Sequence, residues 1–183
     1  MVCTNVNDLN KFGGRKTAVA LGTFDALHKG HIRVISAMVE YARANNLLAV
    51  VQLLNTPNNQ KINSHEKKCT ILREMGVDVV LDEAFTPEFR AIKCDEFVAE
   101  YIGKRYNAAA VFTGDNYRFG HNAEGDTQKL TELCQKLGIA VFVKECLVLD
   151  KVVSSTEIRK FILLGEMEKT TEYMGRPFSM YGE

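Results

Sequence analysis

Two histidines three residues apart, His28 and His31, stand where a short apolar segment gives way to a helical pattern. Residues 17–21 form an apolar run that predicts a buried strand, and from about Lys29 apolar residues recur at spacings of three and four, which predicts a helix. The first N–H groups of a helix have no internal partner and lie at the positive end of its dipole. The junction therefore predicts an anion site, most often a phosphate site. With Gly30 between them, both imidazoles could face one bound group.

A second predicted helix start carries hydroxyl groups and a guanidinium. Ser154, Ser155 and Thr156 precede the helical pattern, and Glu157 stands three residues after Ser154, the spacing of a capping box. Helix capping alone accounts for these residue types. The same arrangement would also expose N–H and hydroxyl groups at a second helix N-terminus, with Arg159 one turn inside. Two such termini and an arginine could hold a polyphosphate.

A glycine-bounded loop at residues 114–120 combines an amide, two aromatic rings and a guanidinium, in Asn116, Tyr117, Arg118 and Phe119. Such a set suits a planar, polar and anionic ligand, because the amide can read a ring edge, an aromatic side chain can stack and the arginine can bind a phosphate. By composition alone, a surface loop whose aromatic residues anchor it to the core is the simpler explanation.

These segments follow an alternation of predicted strands and helices. Apolar runs predict strands at residues 17–21, 47–54, 78–81, 108–113 and 139–143. Helices are predicted from about Lys29 and from Asp95, after the N-caps Asn63 and Asp126, and at residues 155–164 and 166–174. Residues 55–59 and 85–89 are predicted loops. The alternation implies an α/β fold, with a doubly wound parallel sheet of about five strands and helices on both faces. Ligands of such sheets lie beyond the carboxyl ends of the strands, so the candidate residues are expected to gather at one edge.

Composition limits the class of protein. Residues 1–183 are expected to form a single domain. The 23 basic and 23 acidic residues balance, which predicts neither nucleic-acid nor membrane-surface binding. No apolar run approaches the ~20 residues that span a bilayer, and the N-terminus has no signal-peptide core. Five scattered cysteines, an odd number, predict reduced thiols in a cytoplasmic protein rather than disulfides or a zinc site.

The motifs together resemble those of a known family. The segment GTFDALHKGH at residues 22–31 resembles the H-x-G-H signature of the nucleotidyltransferase superfamily, in the form typical of the FMN adenylyltransferase (FAD synthetase) domain of bacterial bifunctional riboflavin kinase/FAD synthetases. SSTEIR at residues 154–159 is similar to the superfamily's second signature, and residues 114–120 are similar to the segment that contacts flavin. Residues 175–183 resemble the junction to the riboflavin kinase domain, for which 183 residues leave no room.

The resemblance implies a Rossmann-like nucleotidyltransferase fold and FAD synthetase activity, the transfer of AMP from ATP to FMN with release of pyrophosphate. It implies three catalytic residues, His28, His31 and Arg159. The implied ATP-binding set is Gly22, Thr23, Phe24, Asp25, His28, Gly30, His31, Ser154, Ser155, Thr156 and Arg159, and the implied FMN-binding set is Asn55, Asp115, Asn116, Tyr117, Arg118 and Phe119. FMN would come from a separate riboflavin kinase.

Mg²⁺ is the expected cofactor, entering with ATP and bound mainly to phosphates and water, so no residue is assigned as a metal ligand. Asp25 could reach the ion through water or could equally cap its own loop. One departure from the family is Leu54-Asn55-Thr56-Pro57-Asn58, where F-x-P-H-P is usual. Three alternatives stay open: adenylyl or cytidylyl transfer to another small phosphorylated acceptor, a non-catalytic nucleotide-binding domain, and a flavin carrier.

Overall fold

Six parallel strands form one sheet in this protein. The structure is a computed structural model that describes residues 2–4, 14–55 and 61–179. The strands are β1 (Val2–Thr4), β2 (Thr17–Gly22), β3 (Leu48–Asn55), β4 (Val79–Ala84), β5 (Ala108–Gly114) and β6 (Ala140–Lys144), in the order β1-β4-β3-β2-β5-β6. From β2 the chain builds the sheet outward to β3 and β4, then returns to place β5 on the other side of β2. The strand order therefore reverses between β2 and β5, which is where parallel α/β sheets bind ligands.

The helices are α1 (Lys29–Ala44), α2 (His65–Glu74), α3 (Pro87–Arg90), α4 (Cys94–Glu96), α5 (Thr127–Gln135), α6 (Ser155–Leu164) and α7 (Met167–Met174). α4 runs directly into a π-helix, Phe97–Arg105, and a 3₁₀ turn covers His121–Ala123. Within the described residues, no helix has the length and apolar character needed to cross a membrane.

Helices cover both faces of the sheet, because each face of a buried parallel strand carries apolar side chains. On one face, α1 and α2 bury Ile35, Met38 and Leu72 against the sheet. On the other face, the π-helix and α5 bury Ile102 and Leu130. A third apolar cluster joins α6 and α7 to the loop that follows β2, so these last helices pack beside the carboxyl edge of the strands.

The α/β fold with a parallel sheet is confirmed, and the sheet has one strand more than the five expected. β1 pairs in parallel with β4, with Val2 opposite Val79. A strand of three residues is too short to show either alternation or an apolar run, so only its pairing reveals it.

Two local predictions were wrong in detail. Ser64, and not Asn63, caps α2, because its side chain accepts from the N–H of Lys67. The segment 85–89 was predicted as a loop, but α3 occupies its second half, with Thr86 as its N-cap and Pro87 in its first turn. The predicted loop 55–59 is described only at Asn55; Thr56, Pro57 and Asn58 lie outside the described residues.

Candidate active site

The turn that connects β2 to α1 has an unusual backbone. Gly22 ends β2, and the ring of Phe24 folds back over it so closely that a Cβ at position 22 would lie 2.9 Å from the ring. Phe24 and Leu27 both adopt a left-handed backbone conformation, with φ of 45°. This conformation is costly for residues with a side chain and persists only where the surroundings enforce it. Both side chains are buried, so packing holds the turn in this shape.

Two side chains from distant parts of the chain hold the carbonyl groups of this turn. The guanidinium of Arg176 donates to the carbonyl oxygens of Ala26 and Leu27, at 2.6 and 2.7 Å. The amide of Asn63 donates to the carbonyl oxygen of Asp25 at 2.9 Å. Sequence reasoning missed both roles: it placed Arg176 in a junction segment and Asn63 at a helix cap. No local pattern marks a residue that acts on a turn so far away in sequence.

His28 is the N-cap of α1. Its Nδ1 accepts from the backbone N–H of His31 at 3.2 Å, and the two imidazole rings stack with centroids 3.6 Å apart and planes inclined by 17°. A neutral imidazole that accepts at Nδ1 carries its proton on Nε2. His28 can therefore donate a hydrogen bond from Nε2, at the helix end where anions bind.

Burial keeps both imidazoles neutral. It lowers the pKa of His28 from 6.5 to about 4, and the side chain is only 5% exposed. Burial, followed by the nearby His28 and Arg176, holds the pKa of His31 well below its ordinary value. Nδ1 of His31 is buried and has no hydrogen-bond partner among the described residues. At neutral pH the pair thus offers preorganised hydrogen-bond donors rather than two positive charges.

Three cavities meet at this edge of the sheet. The first, here called the histidine cavity, has a volume of about 320 Å³ and includes His28, His31, Asn116 and Ser154 in its lining. The basic cavity, of about 280 Å³, is lined by Thr23, Asp25, Leu54, Lys61, Lys68, Ser155, Thr156 and Arg159. The aromatic cavity, of about 570 Å³, includes Phe85, Phe89, Phe97, Tyr117 and Phe119 in its lining.

Thr23 lines all three cavities. Tyr117 and Arg118 line both the histidine and the aromatic cavity, and Ser155 lines both the histidine and the basic cavity. The loops after β2 and β5 and the start of α6 therefore converge, as expected for segments at the carboxyl edge of one sheet. A molecule that occupies one cavity would lie next to the openings of the other two at Thr23.

The basic cavity contains an ion pair between Arg159 on α6 and Asp25 in the turn after β2. Asp25 also accepts from the N–H of Ile62, at 3.3 Å. Ser154 caps α6 by accepting from the N–H of Glu157, which confirms the predicted cap. The ion pair fixes the position of a guanidinium that could otherwise adopt many rotamers, and so preorganises the cavity for an anion.

Lys68 is a second cation of the basic cavity, and the sequence did not single it out. Its side chain is 4% exposed, and burial lowers its pKa while the charge of Asp25 acts in the opposite direction. A buried ammonium is costly unless an anion compensates it. The excess of Lys61, Lys68 and Arg159 over the single carboxylate Asp25 makes the cavity attractive to a polyanion.

The walls of the aromatic cavity come from two regions. The ring of Phe89 meets those of Phe97 and Tyr101 edge to face, with centroids 6.0 and 5.4 Å away. Tyr117 and Phe119 lie parallel, 5.9 Å apart. Arg118, between them in sequence, is exposed and lines the cavity. The cavity thus suits a flat aromatic ligand with an anionic group at the Arg118 side.

The residues predicted to bind the acceptor do not all lie at the same place. Tyr117, Arg118 and Phe119 line the aromatic cavity, whereas Asn116 lines the histidine cavity. Asp115 lines none of the three cavities, and its carboxylate accepts from the N–H and the thiol of Cys146, at 3.0 and 2.7 Å. That contact ties the loop after β5 to the loop after β6 and lowers the pKa of Asp115.

Asn55 is the remaining predicted acceptor residue. It is half-buried at the end of β3, and its side chain is hydrogen-bonded to Asp82. Asn55 lines none of the three cavities. Its contact is instead with Asp82 on the neighbouring strand β4.

Acidification should destabilise the protein through His28. Because its pKa is about 4 when folded and 6.5 when unfolded, only the unfolded chain binds a proton at this residue between those values. This contribution to stability is present above about pH 6.5 and is lost as the pH falls toward about 4. Between about pH 7 and pH 5, the free energy of unfolding of the unaltered protein should fall by about 2 kcal/mol because of this residue.

Urea unfolding at the two pH values measures this loss. His28→Asn is the matched control, because asparagine can keep the cap and does not titrate. An equal fall in the free energy of unfolding in the unaltered protein and in the variant would show that His28 is not the group responsible.

The chain is similar to known proteins of the FAD synthetase family. The FAD synthetase family model matches residues 13–157 of the chain. The bifunctional riboflavin kinase/FMN adenylyltransferases of Buchnera aphidicola and Escherichia coli K12 are 27% and 25% identical to it, over 97% of this chain and 60% of each relative. The FAD synthetase of Listeria monocytogenes is 23% identical, over 92% of this chain and 72% of that protein. The chain thus spans about 60% of the length of the first two relatives.

A solved structure shares the fold. The crystal structure of a Streptococcus pneumoniae protein described as a macrolide-efflux protein superposes with a TM-score of 0.81 and 26% identity, over 90% of this chain and 66% of that one. The matched family region, 13–157, contains the turn after β2, both histidines and the loop after β5. The chain belongs to the FAD synthetase family of nucleotidyltransferases.

Proposed function

We propose that this protein transfers AMP from ATP to FMN, giving FAD and pyrophosphate. The observation that carries the proposal is the meeting of three chemically different cavities at Thr23. One offers neutral hydrogen-bond donors, one offers cations and one offers aromatic walls. These are the three environments that a reacting phosphate, a leaving pyrophosphate and a flavin ring require.

ATP would occupy the histidine and basic cavities. Its α-phosphate would lie at the N-terminus of α1, where His28 and His31 can donate to its oxygens. The β- and γ-phosphates would extend past Ser155 to Arg159 and Lys68. The family membership and the adjacency of the two cavities support this placement.

FMN would place its ring in the aromatic cavity and its phosphate near Arg118 and Thr23. Arg118 lines both the aromatic and the histidine cavity, so a phosphate there would lie beside the donor's α-phosphate. FMN itself arises by phosphorylation of riboflavin, and the names of the bifunctional relatives join that kinase to the adenylyltransferase. We infer that a riboflavin kinase activity supplies FMN to this domain.

In the proposed step, an oxygen of the FMN phosphate attacks the α-phosphorus of ATP in line, and the bond from that phosphorus to the oxygen bridging to the β-phosphate breaks. A phosphate monoester is already ionised near neutral pH, so no general base is needed. The rate then depends on positioning and on charge stabilisation. His28 and His31 donate to the nonbridging oxygens, while Arg159, Ser155 and Thr156 hold the departing pyrophosphate.

Mg²⁺ would be held mainly by the phosphates of ATP and by water, and it would supply neutralisation of their charge. Among the described residues, no group of three histidine, cysteine, aspartate or glutamate side chains could hold a metal ion by itself. Asp25 is the carboxylate in the lining of the basic cavity, and Arg159 and the N–H of Ile62 already engage its oxygens. It fits a contact to the ion through water.

Pyrophosphate release tests the proposal. ATP and CTP are each combined with FMN, phosphopantetheine, nicotinamide mononucleotide or glycerol 3-phosphate, and the nucleotide product is identified. Release is expected with ATP and FMN, in equal amount to the FAD formed. Release with another pair would identify transfer to a different acceptor, and ATP binding without release in any pair would identify a non-catalytic domain.

FMN should bind more tightly than riboflavin, with a Kd in the micromolar range or weaker. Arg118→Ala should reduce this preference for FMN about tenfold, because the guanidinium is proposed to meet the phosphate that riboflavin lacks. Titration of flavin fluorescence with protein, with and without ATP and Mg²⁺, measures both affinities. Lys136→Ala, which removes an exposed cation after α5, is the control. An unchanged preference for FMN over riboflavin in Arg118→Ala would show that the FMN phosphate does not bind at Arg118.

A further inference from the structure

Gln52 is a buried polar residue in a strand that is otherwise apolar over most of its length. It lies in β3, its side chain is 0% exposed, and it lines the aromatic cavity. A buried primary amide destabilises the protein unless its polar atoms are hydrogen-bonded. Its partners therefore indicate what the residue is for.

The nitrogen of the amide has a partner. Nε2 of Gln52 donates to the hydroxyl of Tyr106 at 2.6 Å, and that hydroxyl donates to Oε1 of Glu83 at 3.3 Å. A carboxylate can only accept, and the phenol has a single proton to give, so the hydroxyl must accept from Gln52. This direction fixes which end of the amide is the nitrogen.

The oxygen of the amide has no hydrogen-bond partner among the described residues. Oε1 of Gln52 is buried and makes no hydrogen bond within residues 2–4, 14–55 and 61–179. Buried acceptors are satisfied in most proteins, and an exception calls for a missing donor. Because Gln52 belongs to the wall of the aromatic cavity, an occupant of that cavity can supply the donor.

We propose that Oε1 of Gln52 accepts a hydrogen bond from a ring N–H of the acceptor substrate, and so selects rings with an imide edge. The inference rests on the proposed function, in which the aromatic cavity holds the flavin ring. The oxidised flavin ring has one N–H, the imide N3–H. Aromatic walls bind any flat ring of suitable size, whereas a fixed acceptor in the cavity lining distinguishes rings by their edge chemistry. Tyr106 and Glu83 are positioning residues that hold the amide in this orientation.

The affinity of the unaltered protein for FMN analogues tests the inference. N3-methyl-FMN lacks the N–H, and 5-deaza-FMN keeps it, so the second compound is the matched control. We expect N3-methyl-FMN to bind at least about tenfold more weakly than FMN, and 5-deaza-FMN to bind like FMN. Equal binding of FMN and N3-methyl-FMN would overturn the inference.

Gln52→Met distinguishes two reasons why N3-methyl-FMN could bind weakly: the lost hydrogen bond to Gln52 and the size of the added methyl group. The variant should bind FMN about tenfold more weakly, should largely lose the discrimination against N3-methyl-FMN, and should keep its KM for ATP. Full discrimination in the variant would show that the methyl group is excluded by shape alone, and would overturn the inference. The analogue comparison uses unaltered protein, so it holds even if the variant does not fold.

The experiment distinguishes this inference from the proposed function. If the protein forms FAD but binds FMN and N3-methyl-FMN equally, the proposed activity is supported and the proposed role of Gln52 is wrong. Failure of the protein to bind FMN at all, with or without ATP, would overturn both.

Discussion

Replacing His31 by alanine should lower kcat for adenylyl transfer by about 10²-fold or more, the scale expected when one preorganised oxyanion donor is lost. The KM for ATP should change less, because a contact to the reacting phosphate strengthens as charge develops in the transition state. His31 is neutral and its Nδ1 has no partner among the described residues, so the ring is available to the substrate. Single-turnover formation of FAD measures the chemical step.

His28 needs a different substitution, because it also caps α1. Loss of an N-cap destabilises a helix by about 1 kcal/mol, so His28→Ala would confound catalysis with folding. His28→Asn can keep the acceptor for the N–H of His31 while removing the Nε2 donor. It should show the same loss of kcat as His31→Ala, with a native-like Tm.

His65→Ala is the control for both, since His65 lies on α2 and lines none of the three cavities. Native turnover in both His31→Ala and His28→Asn would show that the histidine pair is not catalytic.

Arg159→Lys should reduce kcat/KM for ATP by about ten- to a hundredfold and weaken inhibition by pyrophosphate to a similar degree, while leaving the Kd for FMN unchanged. Lysine keeps the charge but loses the planar fork that can bind two phosphate oxygens and Asp25 at once. Arg159 is only partly exposed, at 28%, so little solvent is available to replace the lost contacts.

Asp25→Asn provides the comparison for this prediction. It removes the ion pair between α6 and the turn after β2 but leaves the guanidinium in place. If Arg159 serves only that pair, both variants should lower Tm equally and share the same kinetics. If Arg159 binds the leaving pyrophosphate, Asp25→Asn should lower Tm with a smaller effect on pyrophosphate inhibition. Thermal unfolding and steady-state kinetics on the same preparations decide between these outcomes.

The elements of this fold could be predicted because their determinants are local. β2 and β3 are buried on both faces and therefore read as apolar runs. Asp126 and Ser154 cap α5 and α6 as their spacing indicates. β1 and the capping of α2 by Ser64 were not predicted, because a three-residue strand has no pattern and adjacent polar residues compete for one cap position.

The sequence by itself determined that two helix N-termini, one with a pair of histidines, would meet at one edge of a parallel sheet. Such features depend on residues within a few positions of each other and on the rule that parallel strands end together. Only the tertiary structure decided that Arg176 holds the turn at Ala26 across 150 positions and that Arg159 pairs with Asp25 across 134. It also decided that Gln52 lines the aromatic cavity with an amide oxygen that has no hydrogen-bond partner among the described residues. These contacts join residues that come together only when the whole chain folds, and burial then determines which groups are charged and which polar atoms lack a partner. Neither the contacts nor the burial can be predicted from the spacing of residues along the sequence.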